Sequence, residues 1–285
     1  MPTEPVELLV LKKTKLGETD LIITGYSSDG RQIRAVVKGG RKPGSRTGSH
    51  LELFCRSSVL LYKGRKLDTV TEAKLLEAHV GCRQGIEHHA AASVLAELLE
   101  QVSRDAFPEP RLFALVDTTF AVIAKVPVEG LSLLVAAGLL KITAQAGFLP
   151  CLDCCAVCGS PTWGQAGSAA AGEGAAAAAE NAEGAESGSA SGSARGTVAF
   201  SYLQGGVVCP DCQTELSSEG LAELPSPLLK WADLAIHSRF EELVHYADDA
   251  HQKLGKLLLG FAREWMRAHV SPKNRSLDFY TERCL

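Results

Sequence analysis

The chain has 285 residues, of which 46% are hydrophobic and 22% are charged. That length accommodates two domains of roughly 150 residues each, and the composition is typical of a globular protein with sizeable cores. The sequence has no run of about 18 apolar residues, which argues against a transmembrane helix. Its N-terminus has neither the basic region nor the apolar segment of a secretory signal. We therefore expect a cytoplasmic protein without membrane contact.

The net charge of −4 conceals an asymmetry along the chain. Residues 1–80 carry 14 Lys and Arg against 9 Asp and Glu, whereas the remainder carries 15 against 24. Six basic residues also fall between positions 31 and 46 without one acidic residue. A solvated face would explain such a run, but charge polarised between two parts of a chain favours a surface for nucleic acid or another polyanion.

The first 80 residues predict a β domain, because short runs rich in Val, Ile, Leu and Tyr alternate with turn signals. The predicted strands are Glu7–Lys12, Leu21–Tyr26, Gln32–Lys38, Ser57–Tyr62 and Thr69–Ala73. This spacing indicates a small barrel or sandwich, and a five-stranded Greek-key barrel of the OB type fits the strand count.

Residues 81–285 predict a helical domain, because apolar residues now recur at steps of three and four. The predicted helices are Ile86–Val102, Arg111–Lys125, Leu131–Gly147, Pro225–Phe240 and Asp249–His269. The third of these is apolar almost all round, so we expect it to be central and buried. The expected fold class is therefore α+β.

Residues 164–196 consist almost wholly of Ala, Gly, Ser and Glu, without an aromatic or β-branched residue. Such a segment cannot bury enough apolar surface to fold, so it predicts a disordered insertion. The insertion interrupts a cysteine-bearing element, predicted at residues 147–163 and 197–215.

Among the nine cysteines, Cys155 and Cys158 form a C-x₂-C motif before the insertion, and Cys209 and Cys212 form another after it. Zn²⁺ prefers four ligands in a tetrahedron, and a two-residue spacer lets one tight turn supply two thiolates. The predicted ligands of a structural zinc ion are Cys155, Cys158, Cys209 and Cys212. Buried free thiols, a redox pair and a catalytic zinc are the alternatives, although four thiolates leave a catalytic ion no open position.

A competing C-x₂-C motif is formed by Cys151 and Cys154. We favour the Cys155 motif because Gly159 follows it and lets backbone amides turn back toward the sulfurs. The 50 residues between the two knuckles exceed the usual spacing. Lengthening a flexible loop from roughly 15 to 50 residues costs only about 1 kcal/mol, whereas a structural zinc contributes on the order of 10 kcal/mol.

The sequence offers no positive sign of an enzyme, and we assign no catalytic residue. Residues 39–45 are glycine-rich but lack the Gly-Lys-Ser/Thr ending of a phosphate-binding loop. No Ser, His and Asp stand in an arrangement that indicates nucleophilic catalysis.

Four stretches in order give the chain a specific resemblance. They are KLGETD at 15–20, VKGGRKPGS at 37–45, AGFLP at 146–150 and FSYLQGG at 200–206. With the basic β domain, the helical domain and the cysteine motifs, the chain resembles the RecO family of bacterial recombination mediators over nearly its whole length outside residues 164–196.

This resemblance implies an N-terminal OB fold, a helical C-terminal domain and no catalytic activity, in a cytoplasmic, nucleoid-associated protein. It further implies binding to single- and double-stranded DNA and annealing of complementary strands. The implied partners are RecR, the acidic tail of single-stranded-DNA-binding protein and, in some settings, RecF and RecA. Loading of RecA onto DNA coated by that binding protein would be the outcome.

The basic residues of the β domain are the candidate phosphate contacts, because such contacts are independent of sequence and sensitive to salt. The predicted DNA-binding residues are Arg34, Lys38, Arg41, Lys42, Arg46, Lys63, Arg65 and Lys66. Those from Lys38 to Arg46 are expected on a loop without a helix, and those from Lys63 to Lys66 on a hairpin turn flanking the same groove.

Three aromatic residues, Tyr26, Phe54 and Tyr62, are candidates for base stacking, although packing in the barrel core explains them better. The rival function is a zinc-ribbon factor of transcription or translation that binds RNA or polymerase through a similar barrel.

Overall fold

The computed structural model describes residues 3–103, 108–161, 196–218, 220–271 and 273–285. The predicted insertion at 164–196 therefore lies outside the described residues, except for Gly196. The N-terminal strands are β1 Thr3–Leu16, β2 Asp20–Ser27, β3 Gln32–Val37, β4 Arg56–Tyr62 and β5 Asp68–Glu77. They close into a barrel of order β1-β2-β3-β5-β4, which confirms the predicted five-stranded OB-type fold.

Barrel closure depends on the long first strand, which pairs antiparallel with both β2 and β4. Strands β3 and β5 complete the ring with a short parallel pairing of Ala35 with Asp68 and Val36 with Thr69. Alternate residues of each strand point inward. The barrel interior is filled by Leu8, Val10, Leu21, Ile23, Ala35, Val37, Leu51, Val59, Leu61 and Val70.

A single helical turn, α1 (Arg46–Ser49), lies between β3 and β4, where we expected a loop without a helix. Ser45 precedes it, and its side chain accepts a hydrogen bond from the Gly48 amide at 3.1 Å. This N-cap satisfies a free amide of the turn, which explains why so short a helix forms.

Beyond the barrel the chain is mainly helical. The helices are α2 Ile86–Val102, α3 Pro110–Ile123, α4 Leu131–Gln145, the one-turn α5 Pro210–Gln213, α6 Ser226–His237, the one-turn α7 Phe240–Leu243, α8 Gln252–His269 and α9 Arg275–Arg283. All five predicted helices are present within a few residues of their expected bounds. The C-terminal helix α9 was not predicted, because its polar sequence carries only a narrow apolar stripe.

Helix α4 is the centre of the helical domain, as its composition predicts. Nearly every side chain from Leu131 to Ile142 is buried, on all sides of the helix. The stretch Val128–Gln145 is long and apolar enough to cross a membrane, but 72% of it is buried inside the fold. Packing against the surrounding helices therefore accounts for its apolar composition.

The barrel interior is a core of its own, and a few other barrel residues, Leu9, Leu11, Tyr26 and Phe54, join the core of the helical domain. Phe54 is 1% exposed, and its ring centroid lies 5.2 Å from that of Phe120 on α3. The Tyr26 hydroxyl of β2 donates to the carbonyl of Glu109 at 2.9 Å. The Tyr26 and Phe54 side chains pack in the helical core, so the helical domain covers the outer face of β2 at Tyr26.

A small sheet carries the second cysteine motif. Its strands are β6 Thr197–Ser201, β7 Gly206–Val207 and β8 Leu221–Pro225, in the order β7-β6-β8. Strands β6 and β7 lie within the second part of the cysteine-bearing element, predicted at 197–215, whereas β8 lies beyond it and was not predicted. Phe200 of β6 is fully buried, with its ring 5.3 Å from Phe261 and 6.1 Å from Trp265 of α8. These aromatic contacts fasten the sheet to the helical domain.

Candidate metal centre and candidate nucleic-acid interface

The structure brings the four predicted thiol ligands together. The sulfur atoms of Cys155, Cys158, Cys209 and Cys212 all lie within 4.8 Å of one another. The Sγ atoms of Cys158 and Cys209 are 3.7 Å apart. A tetrahedral zinc ion with Zn–S bonds of about 2.3 Å requires sulfur atoms about 3.8 Å apart. The cluster can therefore hold a metal ion.

The first knuckle owes its shape to a tight turn. Gly159 adopts a φ of 74°, a left-handed conformation that favours glycine, and its amide donates to the Cys155 carbonyl at 2.8 Å. The Ala156 amide donates to Val207 of β7 at 2.8 Å. The Cys209 amide donates to the Cys155 sulfur at 3.4 Å. Strand β7 thus holds the second knuckle against the first.

The thiols have divergent pKa values. Burial would raise the pKa of Cys155, but amide donors from Cys158, Cys209 and Val157 outweigh burial and lower this pKa to about 6. Hydrogen bonding to Cys209 and Cys158 instead raises the pKa of Cys212. Four adjacent thiolates repel one another, so only a cation among them lets all four ionise.

The competing motif lies beside this cluster and outside it. Cys151 and Cys154 form a separate group with Asp153, whose ligand atoms also lie within 4.8 Å of one another. The sulfur of Cys151 contacts the carbonyl oxygen of Cys154 at 3.1 Å. The fold therefore selects the Cys155 motif as the partner of the second knuckle.

The basic loop after β3 is attached to the turn between β1 and β2. The Arg41 guanidinium donates to the carbonyls of Gly17 and Glu18 at 2.9 and 3.0 Å. The Gly39 amide donates to the Asp20 carboxylate at 2.8 Å, and this bond is the main reason that the pKa of Asp20 is lowered. Arg41 therefore stabilises the contact between this loop and the β1–β2 turn, a role that the sequence did not predict.

The remaining predicted phosphate contacts of this loop are exposed. Lys38 and Lys42 lie on the loop, and Arg46 begins the one-turn helix α1. The loop is the continuation of the C-terminal end of β3. These basic residues therefore lie beyond the C-terminal end of β3.

A second basic group lies at the other end of β3. A cavity of about 160 Å³ opens there, where β3 and the β4–β5 turn diverge. Its lining includes the predicted residues Arg34 and Lys63, together with Arg31, Gln32 and Asp68. Arg65 and Lys66 are exposed on the same turn. Arg31 was not among the predicted contacts, although it belongs to the basic run, and its Nε atom donates to Asp29 at 2.7 Å.

The three aromatic candidates divide into core and surface residues. Tyr26 and Phe54 are each 1% exposed. They pack between the barrel and the helices, as the core interpretation holds. Tyr62, the last residue of β4, is 40% exposed. Tyr62 is therefore the one of the three whose ring lies at the surface.

Comparison with known proteins identifies the family. The model "Recombination protein O N terminal" matches residues 1–79, and "Recombination protein O C terminal" matches residues 83–194. DNA repair protein RecO of Desulforamulus reducens is 28% identical over 233 residues, 79% of this chain and 77% of that protein. The Rubrobacter xylanophilus protein of the same name is 29% identical over 227 residues, 80% and 78% of the two chains. That of Desulfitobacterium hafniense strain DCB-2 is 31% identical over 212 residues, 74% and 65% of the two chains. With its OB-type barrel, helical domain and four-cysteine cluster, the chain belongs to the RecO family of DNA repair proteins.

Proposed function

We propose that the chain binds single- and double-stranded DNA through its basic barrel and anneals complementary strands. With RecR as partner, it would help to load RecA onto DNA coated by single-stranded-DNA-binding protein, in some settings together with RecF. The acidic tail of the single-stranded-DNA-binding protein would be a further contact. The chain acts without a catalytic residue, as a mediator in DNA repair.

The observation that carries this proposal is the basic outer face of β3. On β3, Arg34 and Val36 alternate with the buried Ala35 and Val37, so the Arg34 side chain points outward from the barrel, and the exposed Lys38 follows the last residue of the strand. Helices cover the outer face of β2 at Tyr26, whereas Arg34 and Lys38 are exposed. The outer face of β3 is therefore open to a ligand and carries a cationic side chain.

The two basic groups extend this face at its two ends. The cavity with Arg34 and Lys63 lies at the start of β3, and the loop with Lys38 and Lys42 follows its end. The β3 strand extends about 10 Å from Arg34 to its end at Val37, and Lys38 follows it. A nucleic-acid backbone lying along β3 would meet cations at both ends, through contacts independent of sequence.

Annealing follows from the same electrostatics. Cationic side chains on one surface screen the repulsion between the phosphates of two strands, while the bases stay free to pair. We assign the metal cluster a structural role as a zinc site, because four thiolates complete a tetrahedron and leave no position for a reacting water. The ion would fix β7 and the second knuckle to the segment after α4.

The decisive experiment is annealing of two complementary oligonucleotides coated with single-stranded-DNA-binding protein. We expect the chain to anneal them without strand cleavage and the Arg34→Ala/Lys63→Ala variant to be slower by tenfold or more. Lys125→Ala/Lys230→Ala is the matched control, because it removes the same charge from exposed positions of the helical domain. Absence of annealing by the unaltered chain would favour an RNA- or polymerase-binding factor, and cleavage would indicate a nuclease.

A further inference from the structure

A second set of metal-ligating groups lies outside the four-cysteine cluster. The thiols of Cys151 and Cys154 and the carboxylate of Asp153 place their ligand atoms within 4.8 Å of one another. None of these three residues takes part in the cluster described above. All three come from one four-residue segment, which joins the region after α4 to the first knuckle.

The backbone of this segment is held by the small sheet. The Cys151 amide donates to the Gly205 carbonyl at 2.9 Å, and the Val207 amide donates to the Cys151 carbonyl at 2.9 Å. Gly206 is required here, because a Cβ at this position would lie 2.3 Å from the Cys151 carbonyl oxygen. Cys154 forms a bridge with Pro161. Both cysteines are thus fixed at the backbone, and only short side-chain rotations separate their thiols from a common point.

The ligand atoms that meet there are two sulfurs and a carboxylate oxygen. The Cys151 thiol donates to the Cys154 carbonyl oxygen at 3.1 Å and to a carboxylate oxygen of Asp153 at 3.9 Å, so its proton occupies the place that a cation would take. Asp153 is exposed and, in the described part of the chain, lies against this thiol and not against a lysine or arginine. In the four-cysteine cluster, by contrast, an amide donates to the Cys155 sulfur at 3.4 Å. Two sulfurs and a carboxylate, with no cationic or amide donor to them given by the described residues, favour a cation in place of the thiol protons.

We propose that Cys151, Asp153 and Cys154 hold a second metal ion, a thiophilic divalent cation such as Zn²⁺ or Cd²⁺. Two thiolates select such an ion over Mg²⁺ or Ca²⁺, which prefer oxygen ligands. On binding, the two thiols each release one proton to solvent and form one metal–sulfur bond. Three protein ligands leave the fourth tetrahedral position to water. The second ion is therefore held less tightly than the ion of the complete tetrad.

The same pair of thiols could instead form a disulfide, as C-x₂-C segments do in redox proteins. Asp153 would then have no part in the chemistry, although its carboxylate lies beside the Cys151 sulfur. The carboxylate is the reason that the geometry points to a metal ion.

The test is the metal content of the full chain, purified with a thiol reductant, incubated with a small excess of ZnCl₂ and desalted. We expect two zinc ions per chain in the unaltered protein and one in Cys151→Ser/Cys154→Ser. Cys284→Ser, which removes a thiol outside both groups, is the matched control and keeps two. Asp153→Asn should weaken binding of the second ion about tenfold or more.

Cobalt distinguishes the two sites spectroscopically. After one equivalent of Zn²⁺ fills the tetrad, added Co²⁺ should give sulfur-to-cobalt charge-transfer absorption that the double serine variant lacks. That variant should keep its first ion and its thermal midpoint, which shows that it is folded. One ion per unaltered chain, a second ion that persists in the double variant, or a Cys151–Cys154 disulfide in the reduced preparation would each overturn the proposal.

Discussion

The sulfur atoms of Cys158 and Cys209 lie 3.7 Å apart although 51 positions separate the two residues along the chain. Their proximity does not depend on a metal ion alone. The pairing of β6 with β7 and β8, and the Phe200 side chain against α8, position the second knuckle independently. A bound ion would therefore stabilise an arrangement that the protein already favours.

Loss of a tetrad ligand should cost metal and stability together. We expect Cys155→Ser to lose the tightly held ion, because three thiolates and a hydroxyl bind zinc far more weakly. Its thermal midpoint should fall by several degrees or more, since metal binding contributes directly to folding free energy. Metal analysis after a brief chelator wash, paired with a thermal melt, measures both. Cys151→Ser should retain the tightly held ion. If this variant lost the ion, Cys151 would have to be counted among the ligands.

The basic residues at the two ends of β3 should determine the salt dependence of DNA binding. Each phosphate contact to single-stranded DNA contributes about −0.7 to the slope of log K against log salt. Arg34→Ala/Lys63→Ala should therefore flatten the slope by about 1.4, and Lys42→Ala by about 0.7. Fluorescence anisotropy at a series of salt concentrations measures the slope. A slope unchanged in both variants would place the DNA elsewhere on the protein.

Arg41 should behave differently from Lys42, its neighbour. Its guanidinium donates to two carbonyls of the β1–β2 turn, so Arg41→Ala should cost about 1 kcal/mol of stability. Lys42→Ala should leave the free energy of unfolding within about 0.5 kcal/mol of the unaltered chain. Denaturant unfolding of both variants compares them. Equal stability of the two would mean that the Arg41 contacts contribute nothing.

Asp20 offers a test because loss of its charge and loss of its hydrogen bond are expected to change DNA affinity in opposite directions. Removing an acidic residue near Lys38 and Lys42 should strengthen DNA binding by electrostatics alone. Asp20→Ala, however, also releases the Gly39 amide from the carboxylate. We expect Asp20→Ala to weaken binding and Asp20→Asn, which keeps an acceptor oxygen, to equal or exceed the unaltered chain. Tighter binding by Asp20→Ala would show that the loop needs no anchor.

The same carboxylate sets a pH window. The pKa of Asp20 is lowered in the folded chain, first by the Gly39 amide. A lowered folded pKa gives stabilisation that is complete above the unfolded value of about 3.9 and is lost as the pH falls through the folded value. Anchoring by Asp20 should therefore be constant from pH 5 upward. Between pH 5 and 8 the Asp20→Asn variant should show the same pH profile of stability as the unaltered chain.

Variants of Tyr26 and Tyr62 should distinguish a tyrosine that packs in the core from one that contacts DNA. Tyr26→Phe loses its bond to the Glu109 carbonyl, so it should cost about 1 kcal/mol of stability without changing DNA affinity. Tyr62→Ala removes an exposed ring and should weaken single-stranded DNA binding by about 1–3 kcal/mol if a base stacks on it. Chemical denaturation and anisotropy measure the two effects. DNA binding that is weakened by Tyr26→Phe alone would reverse these roles.

Much of the architecture follows from local patterns. Period-two runs before residue 80 and apolar steps of three and four after it predict the barrel strands and the helices α2, α3, α4, α6 and α8. Helix α9 was missed because its sequence is mostly polar, and strand β8 because its five residues, LAELP, include a proline and neither a β-branched nor an aromatic residue. The helix α1 was missed because four residues are too few to show a period.

The sequence by itself determined the barrel, the helical domain and the presence of four thiol ligands, since each is encoded within a short window. Tertiary structure decided which C-x₂-C motif meets Cys209, because the Cys209 amide donates to the Cys155 sulfur while Cys151 and Cys154 lie in a separate group. It also decided that Tyr26 packs inside and that Arg34 meets Lys63 at one cavity. The physical reason is the same in each case: these outcomes depend on contacts between residues distant in the chain, which no local pattern contains.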